Sequence, residues 1–400
     1  MIKKVTSLVL ITLILILALY GCVNNKETYN PIIINDGTFN IGMLIPDDDD
    51  SAEEFQEGFS FASNLANCVN INNEEIYNYY VISSYDADDV VTNAQQMIEQ
   101  GVSVMVFCGE DINAFNSFID YIKDTNVPVI SLSPYTCDYS RFYSLVPNVE
   151  YKASCAATYA MEKGYNRGVV LCEGSDKYYN DFSEVFKNTF KTYIGTEPTV
   201  YYKNGEKANY SDSALVSGNY DYLLLIGPST NRINTVNNLR NNGFNGEIMF
   251  DEVFDHTIPR FSSLNNCSFM TKLEIDSANN ISTVFYSEFS KDREIEKSFV
   301  TSAAAYGYDA YMTIFEALKS FSEVDTNSIF KNENTISASA TENVEITLSD
   351  FTEAIENIVY HGVTDTIKFK NNACITTYIY VDNISNSEIT LSNKYTFSDK

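Results

Sequence analysis

The order of apolar and helical segments is the feature of this sequence that most restricts its fold. From residue 39 onward, short apolar runs of strand length alternate with longer stretches whose apolar residues recur at helical spacing. The first unit has an apolar run at 39–45, an acidic loop at 46–50 and a predicted amphipathic helix at 51–66. This alternation is typical of β-α-β units, in which parallel strands form a sheet covered by helices.

The alternation runs through two successive series with a break near Pro147. The first contains the continuous apolar run 102–108, and the second contains similar runs at 168–172 and 222–226. Such runs are typical of strands buried on both faces. The sequence therefore predicts an α/β fold with two doubly wound parallel-sheet lobes, between which the chain crosses back. We expect the N-terminal lobe to comprise residues 39–146 and 274–334, and the C-terminal lobe residues 147–273 and 345–400.

The N-terminal segment has the pattern of an export signal. Two lysines precede an apolar run over 8–19, which has the length of a signal-peptide core and is short for a membrane span. Gly21 and Cys22 follow, and this ending resembles the bacterial lipobox, in which the cysteine is lipidated. We expect a signal peptide at 1–21 and a tether at 22–38 with a lipid on Cys22. The alternative is an uncleaved anchor helix, and both place the chain outside the cytoplasm on a membrane.

The charge balance restricts the partners. The chain has 54 acidic and 26 basic residues and a formal net charge of −28. Such a charge repels nucleic acid, so no nucleic-acid partner is expected, and it weakly favours cationic or zwitterionic ligands. Hydrophobic residues make up 44% of the sequence, which is enough to bury substantial cores.

Motifs for covalent chemistry and for metal binding are missing from the sequence. His256 and His361 have no nearby catalytic pattern, and no nucleophile elbow, zinc-protease motif or phosphate loop occurs. The cysteines form no close pair with zinc-site spacing, and the acidic run 47–50 lacks the spacing and glycine of a calcium loop. The sequence therefore predicts no catalytic residue, no metal and no cofactor.

Several short motifs, taken in order, resemble the class I periplasmic-binding-protein family, specifically its branched-chain amino-acid-binding type. The resemblance extends over nearly the whole chain after the tether. It implies two lobes joined by three crossovers, with a ligand held between them at the carboxyl ends of strands, as is general for open α/β sheets. The motifs are Ile41 to Pro46, Tyr85 to Asp88, Met97-Ile98, Val127 to Ser131, Tyr308 to Ala310 and Ala317-Leu318.

Two loops of the first lobe are candidate ligand contacts. The resemblance implies a hydroxyl in the loop after 102–108, where this chain has Glu110 and Asp111. If either carboxylate faces the cleft, an amine-bearing or polyhydroxyl ligand fits better than a plain branched-chain amino acid. The alternative for Asp111 is a helix N-cap. The loop at 131–136 keeps the hydroxyl-rich character of the family, although ordinary turn chemistry is an alternative there. Its candidate contacts are Ser131, Ser133, Tyr135 and Thr136.

Two loops of the second lobe supply further candidates. Tyr178 and Tyr179 stand where the resemblance implies an aromatic ring over the ligand. The alternative is that they are ordinary exposed surface residues. Asp251 and Glu252 follow a predicted strand and resemble the acidic partner of a ligand ammonium group, a role that suits a carboxylate. The alternative is a solvated loop.

Taken together, these features predict a monomeric solute-binding lipoprotein that delivers a small polar ligand, an amino acid or a related amine-bearing metabolite, to an ABC transporter permease. One alternative is a lipoprotein of the same fold that acts as an interaction or regulatory module and has lost its pocket. An enzyme, for example a hydrolase, is the third possibility and lacks a supporting motif.

Overall fold

The structure, a computed structural model, places the strands and helices of two adjoining lobes. The residues it describes are 33–34, 37–47, 50–71, 74–227, 229–251, 262–273, 280–295, 300–322, 345–386 and 388–397. The predictions for the signal peptide, for Cys22 and for Glu252 concern residues outside this described part.

The first lobe is built on an eight-stranded sheet, and most of its elements come from the first half of the chain. The elements of that half are β1 (Thr38–Pro46), α1 (Asp50–Leu65), β2 (Cys68–Ile71), β3 (Glu74–Tyr85), α2 (Val90–Glu99), β4 (Val104–Phe107), α3 (Ile112–Ile122), β5 (Val129–Ser131) and β6 (Phe142–Ser144).

The second lobe is built on a seven-stranded sheet. Its consecutive elements are α4 (Val149–Glu162), β7 (Gly168–Cys172), α5 (Lys177–Ile194), β8 (Thr199–Tyr202), α6 (Asp212–Ser217), β9 (Tyr222–Ile226), α7 (Ser229–Asn241), β10 (Glu247–Phe250) and β11 (Cys267–Thr271), with a short 3-10 turn at Ser262–Leu264.

The rest of the chain contributes to both lobes. These elements are α8 (Asn280–Asp292), α9 (Ser302–Lys319), α10 (Leu348–Glu356), β12 (Tyr360–His361), β13 (Thr366–Ile367), β14 (Phe369–Lys370), β15 (Ala373–Cys374), β16 (Tyr378–Ser385) and β17 (Glu388–Thr396).

Both sheets are dominated by parallel pairs. The strand order is β14-β15-β6-β5-β4-β1-β3-β2 in the first sheet and β17-β16-β11-β10-β9-β7-β8 in the second. The central strands β1, β4, β5 and β6 run parallel, as do β7 to β11, whereas β2, β14, β16 and β17 pair antiparallel at the edges. The predicted α/β class is thus confirmed. The antiparallel edge strand β2 was not predicted from the sequence, because its four residues are too few to show a clear period.

The assignment of residues 345–400 to the second lobe is wrong for the first part of that range. Leu348, Phe351 and Ile355 of α10 are buried in the first-lobe core, and β15 pairs with β6 of the first sheet. Only β16 and β17 join the second sheet. The chain therefore passes between the sheets after β6, after β11 and between β15 and β16. The last passage is so short that sequence periodicity does not mark it.

Candidate ligand site between the lobes

The loops that follow β4 and β5 in one lobe meet those that follow β7 and β10 in the other. Tyr135, after β5, and Tyr178, at the start of α5, are both buried, and their ring centroids lie 5.3 Å apart at an interplanar angle of 86°. The Tyr135 hydroxyl donates to the Glu110 carbonyl oxygen. The structure thus places two of the predicted aromatic residues face to edge across the cleft, at the carboxyl ends of the strands.

The hydroxyls of the serine-rich loop are engaged locally. The Ser131 Oγ accepts from the Ser133 amide at 3.2 Å, and the Ser133 Oγ accepts from the Tyr135 amide at 3.5 Å. These bonds are the turn chemistry that serine commonly supplies. Thr136 is exposed and lines a cavity of about 790 Å³ beside the segments that connect the lobes, with Asn148 and Lys370 among the other lining residues.

Asp111 acts as the N-cap of α3. Its Oδ1 accepts from the amides of Asn113 at 2.7 Å and Ala114 at 2.9 Å. This capping satisfies amides that have no partner within the helix. The carboxylate nevertheless stays close enough to the cleft that its charge helps to raise the pKa of Tyr135.

The two tyrosines of the second lobe open helix α5. Asp176 caps this helix by accepting from the Tyr178 amide at 2.9 Å, and the Tyr178 hydroxyl donates to Asp251 Oδ2 at 3.0 Å. The Tyr179 side chain is only 6% exposed, and within the described part of the chain its hydroxyl forms no hydrogen bond. The rings of Tyr178 and Tyr179 are 5.4 Å apart at 75°.

A buried ion pair supports this side of the site, and sequence analysis missed it. The Arg232 Nη2 lies 2.6 Å from Asp251 Oδ1, with side-chain exposures of 1% and 6%. Arg232 also donates from Nε and Nη2 to the Gly227 carbonyl oxygen. Asp251 was predicted to bind a ligand ammonium, but both of its oxygens already have partners in the protein. Arg232 gave no sequence signal because it lies 19 residues from Asp251.

A second polar group missed by sequence analysis lies beside the first. Glu173, after β7, accepts at Oε1 from Lys203 at 2.8 Å and from Thr235 at 3.1 Å. Its partners come from the segment after β8 and from α7, so only the fold brings them together. Like Asp251, this buried carboxylate is matched by a cation.

The electrostatic character of the cleft is negative. Burial raises the pKa of Tyr135 far above its ordinary value, and Tyr179, Glu110, Asp176 and Asp111 raise it further. Burial also raises the pKa of Tyr179, and four carboxylates add to that effect: Glu110, Asp176, Asp251 and Glu173. Burial is the main cause of the raised pKa of Asp176 itself. The charges of carboxylates from both lobes therefore act on the hydroxyls of Tyr135 and Tyr179.

Neither a metal centre nor a membrane-spanning helix is found in the described ranges. No cluster of three or more His, Cys, Asp or Glu side chains there has the arrangement of a metal site. Among the same residues, no helix combines the length and apolarity needed to cross a bilayer.

The fold defines a two-lobed α/β binding protein whose lobes face each other across the carboxyl ends of their strands. The family model described as periplasmic binding protein matches residues 39–364, and the chain belongs to this family. The members of this family are extracytoplasmic solute-binding proteins of ABC transporters. The resemblance seen in the sequence is thus confirmed. A search of the curated proteins gives no match.

Solved structures of similar fold cover most of the chain. A leucine-binding protein LivK from Thermotoga maritima superposes with a TM-score of 0.71 at 16% identity, covering 89% of this chain and 98% of that one. LivJ from Streptococcus pneumoniae, in complex with isoleucine, gives 0.70 at 14% identity, with coverages of 90% and 99%. A solute-binding protein from R. palustris, in complex with benzoate, gives 0.71 at 9% identity, with coverages of 90% and 98%. At these identities the likeness shows the fold.

Proposed function

We propose that this chain captures a small, amine-bearing polar solute between its two lobes and delivers it to the permease of an ABC importer. The observation that carries the proposal is the interlobe cluster in which Tyr135 of one lobe meets Tyr178 of the other among carboxylates of both lobes. Concave sites with aromatic walls and a few convergent polar groups are the usual form of small-molecule sites. Binding closes the lobes about the three connecting segments, in the manner of a hinge.

The balance of charge in the cleft favours an amine. Glu110, Asp111 and Asp176 add their charges to those of Glu173 and Asp251, whereas Lys203 and Arg232 are each paired with one of these carboxylates. An excess of negative charge in a partly desolvated cleft attracts cations and disfavours anions. The neighbours of this fold bind isoleucine in one case and benzoate in another, and the excess charge argues for the amine-bearing class here.

The remaining predictions complete the proposal. Cys22 is lipidated after removal of residues 1–21, and the tether at 22–38 holds the monomeric binding protein at the outer face of the membrane. The protein performs no covalent chemistry on its solute. A Cys22→Ser substitution should abolish incorporation of labelled fatty acid and release the protein from membranes, whereas Cys68→Ser should leave both unchanged.

Asp111 provides a test of the charge argument. Replacing Asp111 by Asn preserves a good N-cap but removes one negative charge beside the cleft. We expect amine ligands to bind roughly threefold more weakly, the effect of one partly screened charge. The measurement is calorimetric titration of the full-length chain in a maltoside detergent, using ligands selected by thermal shift from amino acids, amines, aromatic acids and sugars.

The control for this variant is Asp120→Asn at the other end of the same helix, where the carboxylate is exposed and paired with Lys123. This substitution should leave the affinity unchanged. If only aromatic acids or sugars raised the unfolding temperature, the proposal of an amine-bearing ligand would be wrong. An unchanged affinity in the Asp111 variant would show that this carboxylate does not contribute to ligand binding.

A second candidate function is an interaction or regulatory module without a transported ligand. It is favoured by the packing of the cleft: Tyr135 packs directly on Tyr178, and both oxygens of Asp251 accept from side chains of the protein, Tyr178 and Arg232. In this case the cleft is filled by its own side chains. No compound of the panel would then raise the unfolding temperature, even after the protein is unfolded and refolded to remove any bound solute.

A further inference from the structure

We propose that a free edge of the first sheet binds an extended segment of another polypeptide, one with basic residues on both sides of an uncharged, strand-forming centre. This free edge is the stretch 78–84 of β3, which continues beyond the residues 74–77 that pair with β2. The inference does not depend on the solute, because it concerns the main chain of one strand. It rests on the direction of the β3 amides, on the residues of the edge and on the charges at its two ends.

The main-chain groups of β3 alternate between two directions. The Tyr77 amide donates to the residue that precedes β1, whereas the Asn78 amide donates to the residue that precedes β2, on the opposite side. Successive residues of a paired strand point their N–H and C=O groups to opposite sides. Those of Tyr80 and Ile82 therefore point away from β1. Within the described residues, no hydrogen bond to the main chain of either residue is found.

The residues of the free edge do nothing to prevent pairing. They read Asn-Tyr-Tyr-Val-Ile-Ser-Ser, with no charge and no proline, and most of the central ones favour strands. Their register with β1 is regular, without a bulge. Natural proteins usually protect a sheet edge with lysine, proline or a bulge. Strand β17, at the edge of the second sheet, shows two of these devices, with Lys394 and a register shift in its pairing with β16.

The side chains beside the free edge offer an apolar contact on one face. Tyr77, Tyr79 and Val81 are exposed to 42%, 57% and 41%. On the other face, Tyr80 and Ile82 pack partly against the first-lobe core. An added strand gains main-chain hydrogen bonds from such an edge and specificity from the alternate side chains. Cross-strand pairs with aromatic and β-branched residues add to this stabilisation.

Acidic residues lie at both ends of the free edge. Glu74 and Glu75 are exposed at the start of β3, and Asp86 and Asp88 are exposed just after its end. Their negative charges attract cations and repel anions. A partner that matches this pattern carries lysine or arginine outside a centre that has no charge.

The same charges argue against a second copy of this chain on the edge. Antiparallel pairing of two β3 strands, with Tyr80 of one copy opposite Ile82 of the other, would set Glu74 opposite Asp88 at each end. Like charges directly opposite each other destabilise a strand pair, and the net charge of −28 adds a general repulsion. We therefore assign the edge to a different polypeptide, which agrees with the monomer proposed above.

The test uses the peptide Lys-Lys-Thr-Val-Thr-Val-Thr-Lys-Lys and the full-length chain in a maltoside detergent. Amide hydrogen exchange is followed residue by residue, by mass spectrometry with electron-transfer fragmentation. Without peptide, the amides of Tyr80 and Ile82 should exchange rapidly, whereas those of Tyr79 and Val81, which point toward β1, should be protected. Peptide at about ten times its dissociation constant, measured by calorimetry, should slow the first pair about tenfold and leave the second pair unchanged.

A second peptide and two variants test the recognition. Replacing the four lysines of the peptide by glutamate should weaken binding at least about tenfold, and equal binding would disprove recognition by charge. Val81→Lys sets a cation beside the basic peptide and should weaken binding about fivefold. The matched control is Val359→Lys, at a valine exposed to 64% between α10 and β12, and it should bind the peptide as wild type does. Equal losses in both variants would overturn this edge as the binding site.

Other occupants of the edge would give different results. If Tyr80 and Ile82 are protected without peptide and the protein sediments as a monomer, the chain itself covers the edge. If they are protected and the protein sediments as a dimer, a second copy occupies it. Either result would overturn the proposal, as would rapid exchange of both amides in the presence of the peptide.

Discussion

Buried charged side chains hold the segments that connect the two lobes. The Lys272 Nζ, just after β11, lies 2.6 Å from Asp365 Oδ2 and also donates to the Tyr378 carbonyl oxygen. Asp309 of α9 accepts from the amides of Val363 and Thr364, each at 2.8 Å. Charges removed from water in this way must be paired, and removal of one partner of such a pair typically costs about 3–5 kcal/mol. These bonds give Asp309 a structural role, because they tie α9 to the segment at 363–364.

Asp309 should make stability depend on pH. Burial raises its pKa from 3.8 to about 6. A carboxyl whose pKa is raised on folding contributes stability that is fully present below about pH 4 and is lost as the pH rises through about 6. Since one pH unit corresponds to about 1.4 kcal/mol, the loss is about 3 kcal/mol. Asp309→Asn should lower stability at every pH, because an amide offers one acceptor oxygen in place of two.

The measurement is urea unfolding of both proteins between pH 4 and 7. The difference in unfolding free energy between wild type and Asp309→Asn should be largest at pH 4 and should shrink by about 3 kcal/mol at pH 7. The Asp120→Asn variant, whose carboxylate is exposed, serves as the control and should give a small and nearly constant difference. A constant difference for Asp309→Asn would show that this carboxyl does not titrate in this range.

At the scale of elements, two helices of the first lobe pack against each other through glycines. A Cβ on Gly58 of α1 would overlap the Ala304 carbonyl oxygen, and a Cβ on Gly307 of α9 would overlap the Phe55 carbonyl oxygen. Both obstacles are backbone atoms, which cannot rotate away as a side chain can. The glycines therefore allow the helix axes to approach closely, and this contact fixes α9, which carries Asp309, against α1.

Gly58→Ala should destabilise the protein although alanine favours helices. The added methyl group must push the helices apart, and overpacking of this kind costs about 1–3 kcal/mol, more than the gain of about 1 kcal/mol in helix propensity. Thermal and urea unfolding measure the effect. Glu53→Ala on an exposed position of the same helix should change stability by less than about 0.5 kcal/mol. A Gly58→Ala variant as stable as wild type would mean that the helices are further apart than described.

At the scale of the whole molecule, the net charge of −28 opposes compactness. Like charges on a folded protein repel one another more than they do in the expanded chain. The described acidic side chains are mostly exposed, and several of the buried ones, including Glu173, Asp251 and Asp365, are held by the cations discussed above. The repulsion is therefore mainly a surface effect that dissolved ions can screen.

Salt should stabilise this protein. Raising NaCl from about 0.01 M to about 0.1 M shortens the screening length from about 30 Å to about 10 Å, which removes most of the repulsion between distant surface charges. We expect the unfolding temperature at pH 7 to rise with NaCl over this range. Sucrose in place of salt is the control for effects other than screening. A flat or falling unfolding temperature in NaCl would show that local ion pairs outweigh the repulsion.

The sequence by itself determined the fold class and the alternation of strands and helices through both lobes. Apolar runs such as those that became β4, β7 and β9 can be recognised locally in the sequence. A strand that is buried on both faces needs an apolar residue at nearly every position. The sequence also pointed to the loops after β5 and β7 as carriers of Tyr135 and Tyr178, since parallel strands bring their carboxyl ends to one edge of a sheet.

Only the tertiary structure decided which groups meet across those loops and where the chain returns. Arg232 with Asp251 and Glu173 with Lys203 are pairs distant in sequence, and no local period links their members. The same holds for α10 and β15, whose place in the first lobe follows from the side chains that they bury. The spacing of apolar residues along the chain shows which face of a helix or strand is buried. It does not show which other element packs against that face, because that depends on the packing of the whole chain.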